Sequence, residues 1–222
     1  MKKTGIATIL VSILTALFIL SGSISVPILV RGLYYHQVES LGISETTGLS
    51  FETIKEAFDE MMDYCVAGGE GSGYEFGTGS LAWSQEGKDH FNDVAKLFVL
   101  DIRLLLVSGV LLVLAMAVGI KKKTYPRILG RGPLFWGPVI LGLAFLGIGA
   151  VALVDFDSFF VKFHHLFFPG KSNWIFDPAQ DEIINILPET VFRNFAILIV
   201  MLVLGLSMLA LVVDFLLKRR GA

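Results

Sequence analysis

Four long stretches without a charged residue constrain this chain more than any other feature. They are residues 5–30, 104–120, 133–154 and 195–213, and each is apolar or small throughout. Each approaches or exceeds the ~20 residues that an α-helix needs to cross the hydrocarbon core of a bilayer. Because 54% of the chain is hydrophobic, an ordinary soluble domain is excluded. The sequence predicts an all-α membrane protein: a four-transmembrane-helix bundle with a small mixed α/β extracytoplasmic cap.

The first stretch has an alternative interpretation, because Lys2 and Lys3 precede it as they would precede a secretory signal peptide. Its apolar run is longer than the roughly 7–15 residues of such a peptide, and no convincing cleavage site follows it. We therefore expect an uncleaved helix.

The basic residues predict the orientation in the membrane. They cluster at Lys2-Lys3, between the second and third stretches from Lys121 to Arg131, and at Lys218–Arg220, whereas every acidic residue except Asp214 falls on the other side. By the positive-inside rule both termini are cytoplasmic. The predicted divisions are 1–30 for the first transmembrane helix, 31–96 for the first cap segment, 97–154 for helices two and three with their link, 155–192 for the second cap segment, and 193–222 for the fourth helix and a basic tail.

The first cap segment carries the pattern of one helix and the start of another. Ser50 is a candidate N-cap for a helix over residues 51–65, with Ile54, Phe58 and Cys65 on its apolar stripe. Ser84 is a candidate N-cap for a second helix that runs unbroken into the second transmembrane stretch. The only cysteine, Cys65, excludes an internal disulfide framework and is expected in the core.

Two further patterns complete the cap. Residues 68–73 are glycine-rich and predict a flexible loop, after which residues 74–83 are a weak candidate for a short hairpin. In the second cap segment, Asp177 followed by Pro178 and then Gln180 is typical of a helix start and predicts a helix over 178–186. Asp177 then has a structural role as the cap.

Composition also excludes several classes of function. A net charge of −2 provides no basic surface for nucleic acid. The chain has no zinc-type spacing of cysteine and histidine. No histidine lies inside a predicted span, which argues against a haem-carrying helix. We expect neither a metal nor a cofactor.

Two adjacent histidines, His164 and His165, are candidates for a catalytic role. They stand among phenylalanines beside a predicted membrane surface. Histidine titrates near neutral pH and can both accept and donate a proton. The other two histidines of the chain are His36 and His90. Asp93 follows His90 by three residues, a helical spacing at which its carboxylate can orient the imidazole. The alternative is that the pair belongs to an interfacial aromatic belt.

Two motifs carry a resemblance to a known family. The first has the pattern S-x-x-x-x-x-H-F-x-D-V and runs from Ser84 to Val94. The second begins at Phe163 with F-H-x-L-F-F and continues from Trp174 with W-x-F-D-P-x-x-D-x-I-I-x-x-L-P-E. In both, and in span count and topology over nearly the whole chain, the sequence resembles the lipoprotein intramolecular transacylases, bacterial membrane proteins with four spans.

The resemblance implies an enzyme of the bacterial cell membrane that acts on a diacylated lipoprotein among membrane lipids. Such an enzyme moves the acyl chain from the sn-2 glyceryl ester of the N-terminal diacylglyceryl-cysteine to its free α-amino group, which leaves a lyso-form lipoprotein. The family's two catalytic histidines correspond by motif to His90 and His164. The residues expected to contact the substrate are Trp83, Asp93, Phe163, His165, Phe168, Trp174 and Asp177.

The residue types suit this reaction. Aminolysis of an ester needs an unprotonated amine, and because an α-amino group has a pKa of about 7.7–8.0, an imidazole base suffices. The departing oxygen needs a proton, and aromatic walls exclude the water that would hydrolyse the ester. Which histidine is the base and which is the acid stays open at this stage.

Two other classes of function also remain. One is a non-enzymatic four-span protein whose outer cap binds lipid or a partner protein, in which both histidines are replaceable. The other is a metalloenzyme that uses His90, His164 and an aspartate, although no HExxH motif supports it.

Overall fold

The computed structural model describes residues 2–122 and 127–220. Of the basic residues that predict the orientation, Lys123 lies outside the described residues, as do the last two residues of the predicted tail. Within the described ranges the regular structure is helical. The helices are α1 (Lys2–Leu29), α2 (Gly32–Ser40), α3 (Ile43–Thr47), α4 (Phe51–Ala67), α5 (Gln85–Lys122), α6 (Pro133–Val154), α7 (Phe156–Phe167) and α8 (Glu189–Arg220), with a 3-10 helix, η1 (Glu182–Ile186), before α8.

Four of these helices, α1, α5, α6 and α8, are long and apolar enough to cross a membrane. Each contains one of the four uncharged stretches, so the prediction of four transmembrane helices is confirmed. The helix predicted from Ser84 into the second stretch is also confirmed, because α5 runs from Gln85 to Lys122 without a break. Most side chains along these helices are not buried inside the protein, as expected of surfaces that face lipid. The protein is a multi-pass membrane protein.

The mixed α/β cap predicted from the sequence is wrong, because the described residues contain no strand. Residues 74–83 form irregular chain with one isolated bridge, between Thr78 and Ser80. Gly73 and Gly79 have positive φ angles of 89° and 58°, which a strand does not accommodate. Side chains stabilise the segment instead: the amide of Gly79 donates to the Glu60 carboxylate at 2.7 Å. The ring of Phe76 packs against Tyr64, Trp83 and Phe91.

The helix predicted from Ser50 is confirmed as α4. The Ser50 hydroxyl accepts from the Thr53 amide at 3.1 Å, and Gly68, whose φ of 117° suits only glycine, caps the C-terminus of the helix. Cys65 is buried on its inner face, as expected. Because burial penalises the thiolate, the pKa of the Cys65 thiol rises to about 12.

The helix predicted over residues 178–186 is wrong. The chain makes a turn in which the Asp177 carboxylate accepts from the Ala179 amide at 3.0 Å and from the Gln180 side chain at 3.0 Å. Asp181 then leaves helical geometry because its carboxylate accepts from the distant Ser84, and only η1 follows. Asp177 caps a single turn rather than a helix.

The chain divides into two compact units. The first comprises residues 1–25, 101–151 and 197–222, and the second comprises residues 26–100 and 152–196. In the first unit, the Ser25 hydroxyl donates to the buried Asp101 at 2.7 Å and the Ser12 hydroxyl donates to the Pro133 carbonyl at 2.9 Å. Such polar contacts join helices where apolar burial gives little preference. The second unit contains all four histidines.

Candidate functional site

The second unit brings together the two histidines that stand 74 positions apart. His90 lies on the second turn of α5, and His164 lies on the last turn of α7. Their ring centroids are 5.9 Å apart, with 33° between the ring planes. Both are buried, at 5% and 7% exposure. The predicted pair therefore forms one site.

The start of α5 is fixed by contacts that position His90. The Ser84 hydroxyl accepts from the Gly87 amide at 3.0 Å, as predicted for an N-cap. The amide and the hydroxyl of Ser84 both donate to the buried Asp181 carboxylate at 2.8 Å. A Cβ at Gly87 would lie 2.2 Å from Asp181, so only glycine permits this approach. His90 follows one turn later on the helix that these contacts hold.

His164 lies on α7, a helix that was not predicted from the sequence. The Asp155 carboxylate caps α7 by accepting from the Ser158 amide at 3.0 Å, and the helix runs to Phe167. The Nδ1 of His164 is 2.8 Å from the Phe160 carbonyl, one turn earlier. Because a carbonyl can only accept, Nδ1 carries the proton, and in the neutral ring Nε2 keeps the lone pair.

Burial sets the charge state of His164. It lowers the pKa of the imidazole from its ordinary value. The hydrogen bond to the Phe160 carbonyl acts in the opposite direction, and the neighbouring His165 reinforces the lowering. The lowered pKa favours the neutral ring, which is the form that accepts a proton.

Aromatic rings enclose both histidines. Trp174 stacks on His164 at a centroid distance of 4.6 Å and an angle of 27°. Phe168 lies 5.0 Å from the ring of His90 and 5.8 Å from that of His164. Phe176 lies 5.5 Å from His90. Such a wall excludes water from the space around the two imidazoles.

The remaining predicted contact residues divide into two groups. Phe168 and Trp174 contact the histidine rings, Phe163 lies 5.6 Å from His164, and the exposed His165 packs edge-on against Trp174. The ring of Trp83 packs edge-on against Phe76, and the Lys88 ammonium lies 5.9 Å from its centroid. The carboxylate of Asp177 is used in its own turn. The structure does not bring these two side chains against either imidazole.

Asp93 does not orient His90, contrary to the sequence prediction. Its carboxylate accepts from Lys171 and, at 3.2 Å, from Lys96. The Nδ1 of His90 is buried without a hydrogen-bond partner among the described residues. Two cations outcompete a neutral imidazole for the carboxylate, and Lys171 comes from the loop that follows α7. Asp93 therefore ties that loop to α5.

The sequence analysis missed three members of the site: Phe160, Phe176 and Asp181. Phe160 precedes His164 by four residues, a spacing that indicates a shared helix face once α7 is recognised. Phe176 and Asp181 both stand in the W-x-F-D-P-x-x-D motif. Among the residues that the structure describes, no group of three or more His, Cys, Asp or Glu side chains is placed to hold a metal ion. His36 lies exposed on α2.

Comparisons with known proteins agree on one family. The model of the family described as "Lipoprotein intramolecular transacylase Lit" matches residues 9–192. The fold is similar to that of the membrane integral lipoprotein intramolecular transacylase Lit from Bacillus cereus, at a TM-score of 0.87 and 24% identity over 99% of this chain and 98% of that one. A form of the same protein with a histidine-to-arginine mutation gives a TM-score of 0.80 at 24% identity, over 99% of this chain and 94% of that one. A search of curated protein sequences gave no match.

Proposed function

The chain belongs to the Lit family of lipoprotein intramolecular transacylases, and from this premise we propose that it is a membrane acyltransferase acting on bacterial lipoproteins. Its substrate is a lipoprotein whose N-terminal cysteine carries a diacylglyceryl group. The enzyme moves the sn-2 acyl chain from its glyceryl ester to the α-amino group of the same cysteine. The product is a lyso-form lipoprotein with an N-acyl group.

One observation carries this proposal: two buried imidazoles share one aromatic pocket, and one of them has a single ring nitrogen left for chemistry. Because the Phe160 carbonyl engages Nδ1 of His164, we assign the role of base to Nε2 of His164. This nitrogen accepts a proton from the attacking amine as the nitrogen–acyl bond forms.

The second half of the reaction breaks the bond between the acyl carbon and the glyceryl oxygen. His90, at a centroid distance of 5.9 Å from His164, donates a hydrogen bond from a ring N–H to that oxygen and stabilises its negative charge as the bond breaks. The proton held by His164 completes the new hydroxyl group. Both histidines end neutral, as they began, and no other reactant is consumed.

The pocket supports this chemistry in two further ways. Amine and ester belong to one molecule, and well-oriented intramolecular reactions reach effective molarities of roughly 10⁵–10⁸ M. The rings of Phe168, Trp174 and Phe176 keep water from competing with the amine for the acyl carbon. No serine or cysteine nucleophile is needed, and the buried Cys65 takes no part.

We place the second unit, with both histidines, on the extracytoplasmic side of a bacterial cell membrane. The distribution of basic residues supports this orientation. It is also the side on which a mature lipoprotein is anchored to the membrane, so the substrate's ester and amine lie at the depth of the site.

Mass spectrometry of a co-expressed lipoprotein tests the proposed function. In cells without any other N-acylating enzyme, we expect the N-terminal cysteine to carry an N-acyl group and a monoacylglyceryl group. A lipoprotein that keeps both acyl chains on glycerol and a free α-amine would contradict the proposal. Cells that carry the empty vector provide the matched control.

A further inference from the structure

Helix α7 has two apolar faces, and the structure covers only one of them. The inner face includes Phe160 and His164, whose rings pack against Phe192 and His90 of the second unit. The second face includes Phe163, Leu166 and Phe167, which are 39%, 74% and 46% exposed. Large apolar side chains rarely stand together in water without a function.

The exposed face is continuous and bordered by polar residues. At 3.6 residues per turn, Phe163, Leu166 and Phe167 fall within an arc of about 100°. Ser158, Lys162 and His165 occupy the next sector of the helix, and all three are exposed. Lys162 precedes Leu166 by one turn, so this residue stands at the border of the apolar arc. This is the residue pattern of a helix that lies in a membrane surface.

The chain leads directly from a transmembrane helix into this face. Helix α6 ends at Val154 and α7 begins at Phe156, with Asp155 alone between them. Leu153 and Val154, at the end of the transmembrane helix, are 74% and 87% exposed. The uncovered apolar surface therefore continues along the chain from a lipid-facing helix to α7, which argues for lipid as its partner.

We propose that the face of α7 formed by Phe163, Leu166 and Phe167 is a lipid-contact surface, inserted at the boundary between acyl chains and glycerol in the leaflet where α6 ends. Lys162 extends its methylene chain along this boundary and contacts lipid phosphate with its ammonium. The partner is the bilayer and not a second copy of the chain.

This lipid contact has a consequence that rests on the proposed function. His164 lies on the flank of α7 next to the inserted face, so the helix holds the proposed base at the depth of lipid ester bonds. A lipid-anchored substrate then reaches the pocket by moving sideways in the leaflet, without lifting its glyceryl group into water.

Spin labelling of the full-length protein in lipid nanodiscs tests the surface. Single cysteines replace Leu166 and, as the matched control on the polar side of the same helix, Ser158. The native Cys65 stays in place because it is 1% exposed and burial raises its thiol pKa to about 12. The discs hold one protein copy each in phosphatidylethanolamine and phosphatidylglycerol. Collision rates with oxygen, which dissolves in lipid, and with a nickel chelate, which stays in water, report each label's surroundings.

We expect the ratio of oxygen to nickel collisions at position 166 to be several-fold higher than at position 158. Equal ratios at the two positions would overturn the proposal. A label at 166 shielded from both reagents, or broadened by a second label in a separate preparation with two copies per disc, would indicate a protein partner in place of lipid and also overturn the proposal. The measurement is independent of acyl transfer. A water-exposed label in an active enzyme would contradict the lipid contact alone. A lipid-exposed label in an inactive protein would contradict the proposed function alone.

Discussion

His164 has one ring nitrogen committed to the fold and one left for chemistry. The Phe160 carbonyl holds Nδ1 at 2.8 Å, which fixes both the tautomer and the direction of the ring. The stacked Trp174 limits its rotation further. A base that is neutral, oriented and shielded from water needs little rearrangement before it accepts a proton.

The same burial makes the stability of the protein depend on pH. Because the pKa of His164 is lowered in the folded state, the unfolded chain binds a proton that the folded protein resists. The free energy of unfolding therefore falls as pH decreases below the ordinary histidine pKa of about 6.5, before the carboxylates titrate. Around the ring, His90 and His165 are the titratable neighbours, and Lys171 and Asp93 lie in the adjoining contacts.

We predict that melting temperature in detergent decreases from pH 7 to pH 5 and that His164→Gln reduces this decrease. His36→Gln is the matched control, since it removes an exposed imidazole on α2 and leaves the two buried ones in place. Differential scanning fluorimetry across the pH range provides the measurement. A His164→Gln profile parallel to that of the wild type would show that this imidazole contributes nothing.

At the scale of elements, the loop between α7 and η1 holds the site together. Lys171 of the loop pairs with Asp93 of α5, while Phe168, Trp174 and Phe176 of the same loop contact the histidine rings. At the far end of the loop, Asp181 accepts both hydrogen bonds from Ser84. The loop therefore joins the helix that carries His90 to the helix that carries His164.

The ion pair of Asp93 and Lys171 should act through the position of the loop. We predict that Asp93→Asn and Lys171→Gln each lower acyl transfer to a similar degree, and by less than the loss of His90. Lys96→Gln is the matched control, because Lys96 pairs with the same carboxylate but belongs to α5 itself. Since exposed ion pairs contribute about 0.2–1 kcal/mol, melting temperatures should change little. Wild-type rates in both loop-breaking variants would reduce the pair to surface charge.

Asp181 should matter more for stability than any other acidic residue of this loop. Asp181→Ala leaves the half-buried amide and hydroxyl of Ser84 without their acceptor, which costs about 1–3 kcal/mol. We predict a clear drop in melting temperature for this variant and a small one for Asp177→Ala, whose carboxylate serves an exposed turn. Thermal unfolding of the two variants side by side decides the question, and equal melting temperatures would contradict this role of Asp181.

Local patterns in the sequence predicted the long elements well. An uncharged run of about 20 residues is stable in a membrane as a helix. Ser50 and Ser84 begin their helices as predicted because an N-cap needs only the amides of neighbouring residues. Predictions were wrong where a residue's partner is distant in the sequence. Asp93 binds Lys171 from another segment, and Asp181 interrupts the expected helix because Ser84 attracts its carboxylate. Gly73 and Gly79, just before and within residues 74–83, adopt positive φ angles that a hairpin strand does not accommodate.

The sequence predicted which two histidines are candidates for catalysis, but it did not predict that their side chains meet. Their motifs marked them as candidates, but no local pattern states that residues 74 positions apart meet at 5.9 Å. Helix α7 was not predicted because its phenylalanines also fit an interfacial aromatic belt. In addition, only one residue, Asp155, lies between α6 and α7. With α7 in place, the spacing of Phe160 and His164 explains the tautomer directly.

At the scale of the whole molecule, the proposed orientation gives a labelling prediction. Single cysteines replace Glu70, exposed in the glycine-rich loop, and Leu129, which is 85% exposed between α5 and α6. In intact cells, a membrane-impermeant maleimide should label position 70 and not position 129, and permeabilised cells should show both. Labelling of position 129 alone in intact cells would reverse the orientation.

The proposed mechanism requires His90 and His164 to act together on one transition state. A synthetic diacylated lipopeptide in vesicles, followed by mass spectrometry at matched enzyme levels, tests it most directly. General acid–base groups contribute about 10²–10⁴-fold each, and groups that act as a unit are not additive. We predict that His90→Ala and His164→Ala each lose nearly all lyso-form product while staying folded in the membrane, and that the double variant forms little less product than either. His165→Ala should reduce product formation less, and His36→Ala should form product at nearly the wild-type rate. Conversion near wild-type rates by both single variants would contradict the two-histidine mechanism.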